Sequence, residues 1–411
     1  MEQKKLYRTL ELFANENFET EEQMLKTLLG KIIEDKEISV KGGRIWKLDL
    51  EKKAYKLLFQ AGSVDKIQDN YMIYLVDYPI FDLIAKERTI LTDETNAYLR
   101  KKGIFKYSAS GIGSKKKIDN KLYYEYLLAL NSDSIDDNLR YTLNIIATFL
   151  TAQLKQRRLA LQQQNYQEEF IRAKQLQKSI LPEHEYKFGN YELYGITLPA
   201  DYVAGDFFDY ITDSDTEERL AVAVGDAASK GISAAAEAFY ISGALRMAAT
   251  FQIKVAPLMK RMNELVNKIF SDDKFTSLFY GELTNNKRGL MYYCNAGHNP
   301  PVFIKAKTKE IFYLEATGPV LGPSPKAKYE TDYINFNCGD VLAIYTDGIS
   351  EAMNKNEELF EENKRLEKLL LDSIDKTPKE IAIKIIDEVV KFSANAPYTD
   401  DKTIVVIKRI K

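Results

Sequence analysis

Four apolar runs in the C-terminal half of the chain meet aspartate at one end. Asp206 stands in VAGDFFDY and Asp226 closes LAVAVGD; Asp347 closes DVLAIYTD and is followed by Gly348; Asp400 and Asp401 directly precede the run KTIVVIKR. Taken singly, each is ordinary turn chemistry, because Asp bonds its own backbone and Asp-Gly is a favoured turn pair. Brought to one edge by the strand ends of a sandwich, the carboxylates would crowd. Unit charges 4 Å apart repel by roughly 4 kcal/mol at an effective dielectric near 20, so such a cluster stays ionised only beside cations. The chain has two histidines, His184 and His298, and two cysteines, Cys294 and Cys338. That scarcity argues against a zinc site and leaves oxygen donors, which select magnesium or manganese. A pair of such ions lowers the pKa of a bridging water and makes hydroxide at neutral pH, chemistry that hydrolyses phosphate esters without a covalent enzyme intermediate.

The elements that must position these acids follow from pattern. At 411 residues, two or three domains are expected. A hydrophobic fraction of 45% with 29% charged residues describes a soluble globular chain. The absence of about 18 consecutive apolar residues predicts no membrane span. The charged start MEQKKLYRTLELF lacks a signal-peptide core, and with two cysteines a reducing, cytoplasmic location is expected. A net charge of -2 speaks against a broad nucleic-acid-binding face.

Three regions separate. Residues 1–153 mix helix and strand: TEEQMLKTLLGKIIE has helical spacing, GGRIWKLDL and KAYKLLFQAGS read as antiparallel strands, and DDNLRYTLNIIATFLTAQLKQ reads as a closing helix with Asp at its start. Residues 154–185 form a helical linker stopped by Pro182. Leu159, Gln163, Tyr166, Phe170, Ala173, Gln177 and Ile180 follow alternating steps of four and three, the seam of a weak two-stranded coiled coil; a single helix packed on its own domain is the alternative. Residues 186–411 alternate many short strands with helices, among them the pair ISAAAEAFYISGALRMAATF and APLMKRMNELVNKIF. TPKEIAIKIIDEVVKF opens with a capping box at Thr377 and Glu380. This pattern predicts two stacked sheets with helices outside.

The order of motifs in the C-terminal region resembles the PPM (protein phosphatase 2C-like) serine/threonine phosphatases of the bacterial SpoIIE/RsbU type. VAGDFFD, GDAASKGISAA, NAGHNPP, YTDGISEAMN and TDDKT match that family's motifs in sequence order, and IRAKQLQKSILPE is similar to the helix that precedes its domains. The first region resembles a GAF domain over roughly residues 10–155. The implied class is therefore α+β: a C-terminal α-β-β-α sandwich of the PPM type, preceded by a helical linker and an N-terminal GAF-like α/β sensor. The resemblance implies metal ligands at Asp206, Asp226, Asp347 and Asp400, with the backbone carbonyl of Ala227 as a further ligand, and two or more Mn2+ or Mg2+ ions. It gives Asp209 a supporting role behind the ligands, Asp401 a capping or supporting one, and Glu351 a loop-ordering one. Lys230 is a candidate for meeting the incoming phosphate. Asn295, Gly297 and His298 are expected to be structural.

Ala204, Ala228 and Ser229 depart from the family pattern, and Ser229 stands where Gly would tolerate positive φ. No ligand carboxylate is missing, so the expectation is an active phosphoserine/phosphothreonine protein phosphatase. The resemblance implies a phosphoprotein substrate of the anti-sigma-factor-antagonist kind and a homodimer formed through the GAF-like domain and linker. The first region has neither His nor Cys, which rules out a His-ligated haem or a Cys-attached bilin; a non-covalent small ligand and a ligand-free dimerisation domain both stay open. The competing reading for the whole chain is a phosphatase-shaped scaffold that binds and signals without hydrolysis.

Overall fold

The structure is a computed structural model that describes residues 2–14, 16–34, 40–93, 97–101, 106–131, 136–212, 218–229, 231–249, 251, 253–270, 274–394, 396 and 400–411. The chain divides into two compact units, Met1–Asn165 and Tyr166–Lys411.

The first unit is built from α1 (Glu2–Ala14), α2 (Glu21–Glu34), β1 (Gly42–Asp49), β2 (Ala54–Gly62), β3 (Met72–Tyr74), α3 (Ile80–Glu87), β4 (Thr89–Asp93), α4 (Ala97–Lys101), β5 (Lys106–Ile118), β6 (Lys121–Asn131) and the start of α5 (Asp137–Ile180). Its antiparallel sheet has the order β3-β2-β1-β6-β5-β4. Both faces are covered, and the period of two along a strand decides which residue goes where. Ile45 and Leu128 pack with Leu25, Leu28 and Leu143 of α2 and α5. Their neighbours Trp46 and Leu127 pack on the opposite face with Phe81, Ile84 and Leu99 of α3 and α4.

Helix α5 begins where Asp136 Oδ1 accepts from the Leu139 N–H at 3.0 Å, an N-terminal cap. It runs without a break through both the closing helix and the linker of the sequence reading, and ends two residues before Pro182. The expected seam is divided in its contacts. Leu159 and Tyr166 are exposed, whereas Phe170 stacks on Tyr202 at 5.2 Å and Gln177 is buried. Those last two positions are used within the chain's own second unit. No described helix is long and apolar enough to cross a membrane.

The second unit continues with β7 (Glu185–Phe188), β8 (Tyr191–Leu198), β9 (Asp206–Thr212), β10 (Arg219–Ala227), α6 (Ile232–Ala249), α7 (Val255–Ile269), β11 (Thr276–Thr284), β12 (Leu290–Ala296), β13 (Val302–Ile304), β14 (Ile311–Tyr313), β15 (Asp332–Asn335), β16 (Val341–Tyr345), α8 (Asp347–Ser350), α9 (Arg365–Asp372), α10 (Pro378–Phe392) and β17 (Lys402–Arg409). One sheet has the order β15-β12-β11-β10-β9 and the other β14-β13-β16-β17-β8-β7.

Phe208, Val222, Val224, Leu342, Ile344, Val405 and Ile407 fill the space between the sheets. The alternate residues of the same strands face outward: Phe207, Ala221 and Ala223 against α6 and α7, and Ala343, Ile404 and Val406 against α9 and α10. This is the expected α-β-β-α sandwich. The capping box of α10 forms as expected, with Thr377 and Glu380 each bonding the other's backbone N–H.

Candidate active site

Strand register makes the first acidic pair. β9 and β10 run antiparallel with Asp206 directly opposite Asp226, a cross-strand placement in which like charges are destabilising. The other sheet supplies the rest. β16 ends at Tyr345, Asp347 opens α8 two residues later, and Asp400 and Asp401 immediately precede β17, the neighbour of β16. Gly348 is required by close approach, since a Cβ there would sit 1.9 Å from the Asp401 carbonyl oxygen. That contact presses the turn carrying Asp347 against residues 400–401.

Thr346 joins the two sheets at this edge. Its Oγ1 donates to Asp206 Oδ2 at 2.7 Å and accepts from the Thr403 N–H at 3.0 Å. Asp401 spends both oxygens on backbone, accepting from Ala200 N–H at 2.8 Å and Gly205 N–H at 2.6 Å. It fixes the loop leading into Asp206. Ala227 closes β10 opposite Thr276, with its carbonyl oxygen against Gly205.

The electrostatics register the crowding. Burial pushes the Asp206 carboxyl well above the usual range, and the charge of Asp226 adds to the shift. Burial, then Asp347, Asp400 and Asp401, push Asp226 up to about 7. Burial raises Asp401, against the hydrogen bonds from Ala200 and Gly205. All five acids thus share one field, as strand ends of facing sheets should. They do not form a closed cage: among the described residues, no three His, Cys, Asp or Glu side chains converge as a ready metal site. An all-oxygen set of this looseness fits a hard cation such as Mg2+, which keeps several waters and takes only one or two carboxylates directly. It does not fit a four-ligand zinc site.

Other residues singled out by sequence fall into place by geometry. Asp209 is a correction: the period of two puts it on the helix side of β9, away from Asp206. There it is fully buried and accepts from Ser242 Oγ at 2.8 Å and from Arg246 at 2.6 and 2.9 Å. It ties β9 to α6 and does not back the acid cluster. Glu351 is exposed, with its backbone N–H on the Asp347 carbonyl at 2.7 Å.

Asn295 is a structural hub, donating to the His298 and Leu314 carbonyls and accepting from the His298 N–H. His298 bonds Ser277 Oγ through Nδ1 at 2.8 Å, and burial lowers its pKa to about 4. Its Nε2 is buried without a hydrogen-bond partner among the described residues. Lys230 lies outside the described residues. Ser229 adopts no positive φ, and among the described residues of that loop Gly231 is left-handed, at 67°. The departure at 229 therefore brings no backbone strain, and its hydroxyl donates to the buried Glu237 of α6 at 2.8 Å.

Three residues escaped the sequence reading: Thr346, Lys402 and Gln177. Thr346 carried a signal, its position beside Asp347. Gln177 carried only its place on the supposed seam. Its side chain bonds both sides of Ala204, donating to the carbonyl at 2.7 Å and accepting from the N–H at 2.9 Å, two residues before Asp206.

Two facing sheets flanked by helices, with acids gathered at one edge, define the second unit as a domain of the PP2C architecture. Its fold is similar to that of the SiaA-PP2C domain of Pseudomonas aeruginosa, with a TM-score of 0.52 and 18% identity over 61% of this chain and 99% of that one. Residues 216–410, most of the C-terminal unit, match the family described as Stage II sporulation protein E (SpoIIE). Asp206 precedes the matched stretch.

Among characterised relatives, the chain is 28% identical over 214 residues to phosphoserine phosphatase RsbU of Bacillus subtilis, covering 52% of this chain and 62% of RsbU. It is 25% identical over 268 residues to protein IcfG of Synechocystis, covering 59% of this chain and 41% of IcfG. The chain thus spans less than two thirds of either relative.

Proposed function

We propose that the chain is a metal-dependent protein serine/threonine phosphatase that hydrolyses phosphoserine or phosphothreonine on a signalling protein. The observation that carries this reading is the pairing of Asp206 with Asp226 across adjacent strands, both raised in pKa, within the field of Asp347 and Asp400. A chain holds such an arrangement at a cost that bound cations offset. Asp206, Asp226, Asp347 and Asp400, with the Ala227 carbonyl, would hold two or more Mn2+ or Mg2+ ions. Bound there, the ions would supply Lewis-acid polarisation of the phosphate and a nucleophile drawn from water at neutral pH.

The chain's own residues do the positioning. Thr346 orients the Asp206 carboxylate, Asp401 fixes the backbone at Ala200 and Gly205, and Gly348 lets the Asp347 turn approach residues 400–401. Kinship with RsbU, a phosphoserine phosphatase, supports the reaction class.

The finer reading assigns residues 1–153 to a GAF-like sensor, 154–185 to the linker and 186–411 to the phosphatase. The chain would act in the cytoplasm as a homodimer through sensor and linker, with a small ligand as the sensor's input and an anti-sigma-factor antagonist as the substrate class. The Gln177 grip on Ala204 gives the linker helix a direct hold on the loop entering the site. The test is phosphate release from a phosphoserine-bearing protein by the full chain, with and without Mn2+, against Asp347→Asn. Release that needs Mn2+ and is lost in the variant supports the reading. Absence of release by the wild type in Mn2+ refutes hydrolysis and favours the non-hydrolysing scaffold.

A further inference from the structure

Lys402 opens β17 two residues after Asp400, and its side chain is buried, at 6% exposure. Lysine is almost never buried so fully unless something compensates its charge. The hydrogen bond it makes among the described residues is from Nζ to the Asp400 carbonyl oxygen, at 3.1 Å. It therefore meets the aspartates through the field and caps none of them. Burial disfavours its ammonium, and the charges of Asp400, Asp401 and Asp206 act in the opposite direction.

We propose that Lys402 is a built-in counter-cation of the aspartate cluster: it offsets carboxylate repulsion in the metal-free protein and, by the same charge, weakens the cluster's hold on divalent ions. The inference rests on the metal-site reading above. Carboxylates that must bind a divalent ion and release it again gain from a resident positive charge, which keeps the empty site folded and its affinity moderate. From the start of a central strand, its ammonium reaches the backbone carbonyl of Asp400, beside the acids it offsets. Lys402 acts through the aspartates and has a positioning role, with no part in bond making or breaking.

Mn2+ titration calorimetry and metal-free thermal melts of the full chain test this with Lys402→Met, close in length and uncharged, and Lys402→Arg, which keeps the charge. Removing one buried positive charge near a divalent site is expected to tighten Mn2+ binding by roughly tenfold. Lys402→Met should also lower the metal-free melting temperature, and Lys402→Arg should stay near wild type on both measures. In an Asp400→Asn background, the thermal loss caused by Lys402→Met should shrink. Unchanged or weaker Mn2+ binding by a folded Lys402→Met protein overturns the proposal, as does a thermal loss indifferent to Asp400. If the wild type itself takes up no Mn2+, the metal-site reading fails. The thermal coupling between Lys402 and Asp400 then decides the counter-cation role by itself.

Discussion

Replacing Asp226 by Asn should stabilise the metal-free protein at neutral pH, contrary to the usual result of altering a partly buried polar residue. In the folded chain, burial and the charges of Asp347, Asp400 and Asp401 push its carboxyl up to about 7, against a usual value of 3.8. Between those values the folded state holds more protons than the unfolded state, so stability falls as pH rises through that window and the penalty is complete above it. About three pH units at roughly 1.4 kcal/mol each amount to about 4 kcal/mol. Asn carries no such penalty.

For a unit the size of residues 166–411, 1 kcal/mol corresponds to roughly 2–4 °C, so Asp226→Asn should raise the metal-free melting temperature by about 8–16 °C at pH 8. Near pH 4 the two proteins should melt together. Added Mn2+ should reverse the order, raising the wild type and leaving the variant unmoved. Scanning fluorimetry from pH 4 to pH 8, with chelator and then with Mn2+, reads both effects. Parallel pH profiles for the two metal-free proteins would refute the electrostatic account of the cluster.

Thr346→Val removes the donor to a buried carboxylate and should cost about 1–3 kcal/mol in urea unfolding, with weaker Mn2+ binding; Thr346→Ser should restore both. Gln177→Ala leaves the Ala204 N–H and carbonyl without partners, a loss of about 1–3 kcal/mol, and amide exchange at residues 203–206 should speed up ahead of the rest of the domain. Arg246→Ala strands the buried Asp209 charge and should destabilise by about 3–5 kcal/mol, while Mn2+ affinity in the folded fraction stays unchanged. That separates Asp209 from the site.

Much of the second unit was legible because its elements obey local rules. The capping box at Thr377, the alternation along LAVAVG and the Asp-Gly at 347–348 each point to one structure. The acids were legible as a set because each sits at a strand end, where a sandwich collects chain reversals. Long-range register was not legible. Nothing in FFD says that Asp209 turns its carboxylate to Arg246 while Asp206 turns inward; that follows only once β9 lies against β10 and α6 covers the outer face.

The stripe on α5 shows the same gap between pattern and contact. Spacing gives a stripe along a helix but not what covers it, and Gln177 and Phe170 spend their contacts on the loop at 202–204. The acid cluster also looked more finished in sequence than it is in three dimensions. Four carboxylates at one edge share a field, and on the proposed reading hydrated ions would complete the coordination.

The most direct measurement is anomalous diffraction at the manganese edge from crystals of the full chain grown with Mn2+. Two peaks bounded by Asp206, Asp226, Asp347 and Asp400, lost in Asp226→Asn crystals, are the predicted result. Manganese bound elsewhere, or none at that edge at millimolar concentration, would contradict the claim that these aspartates exist to hold it.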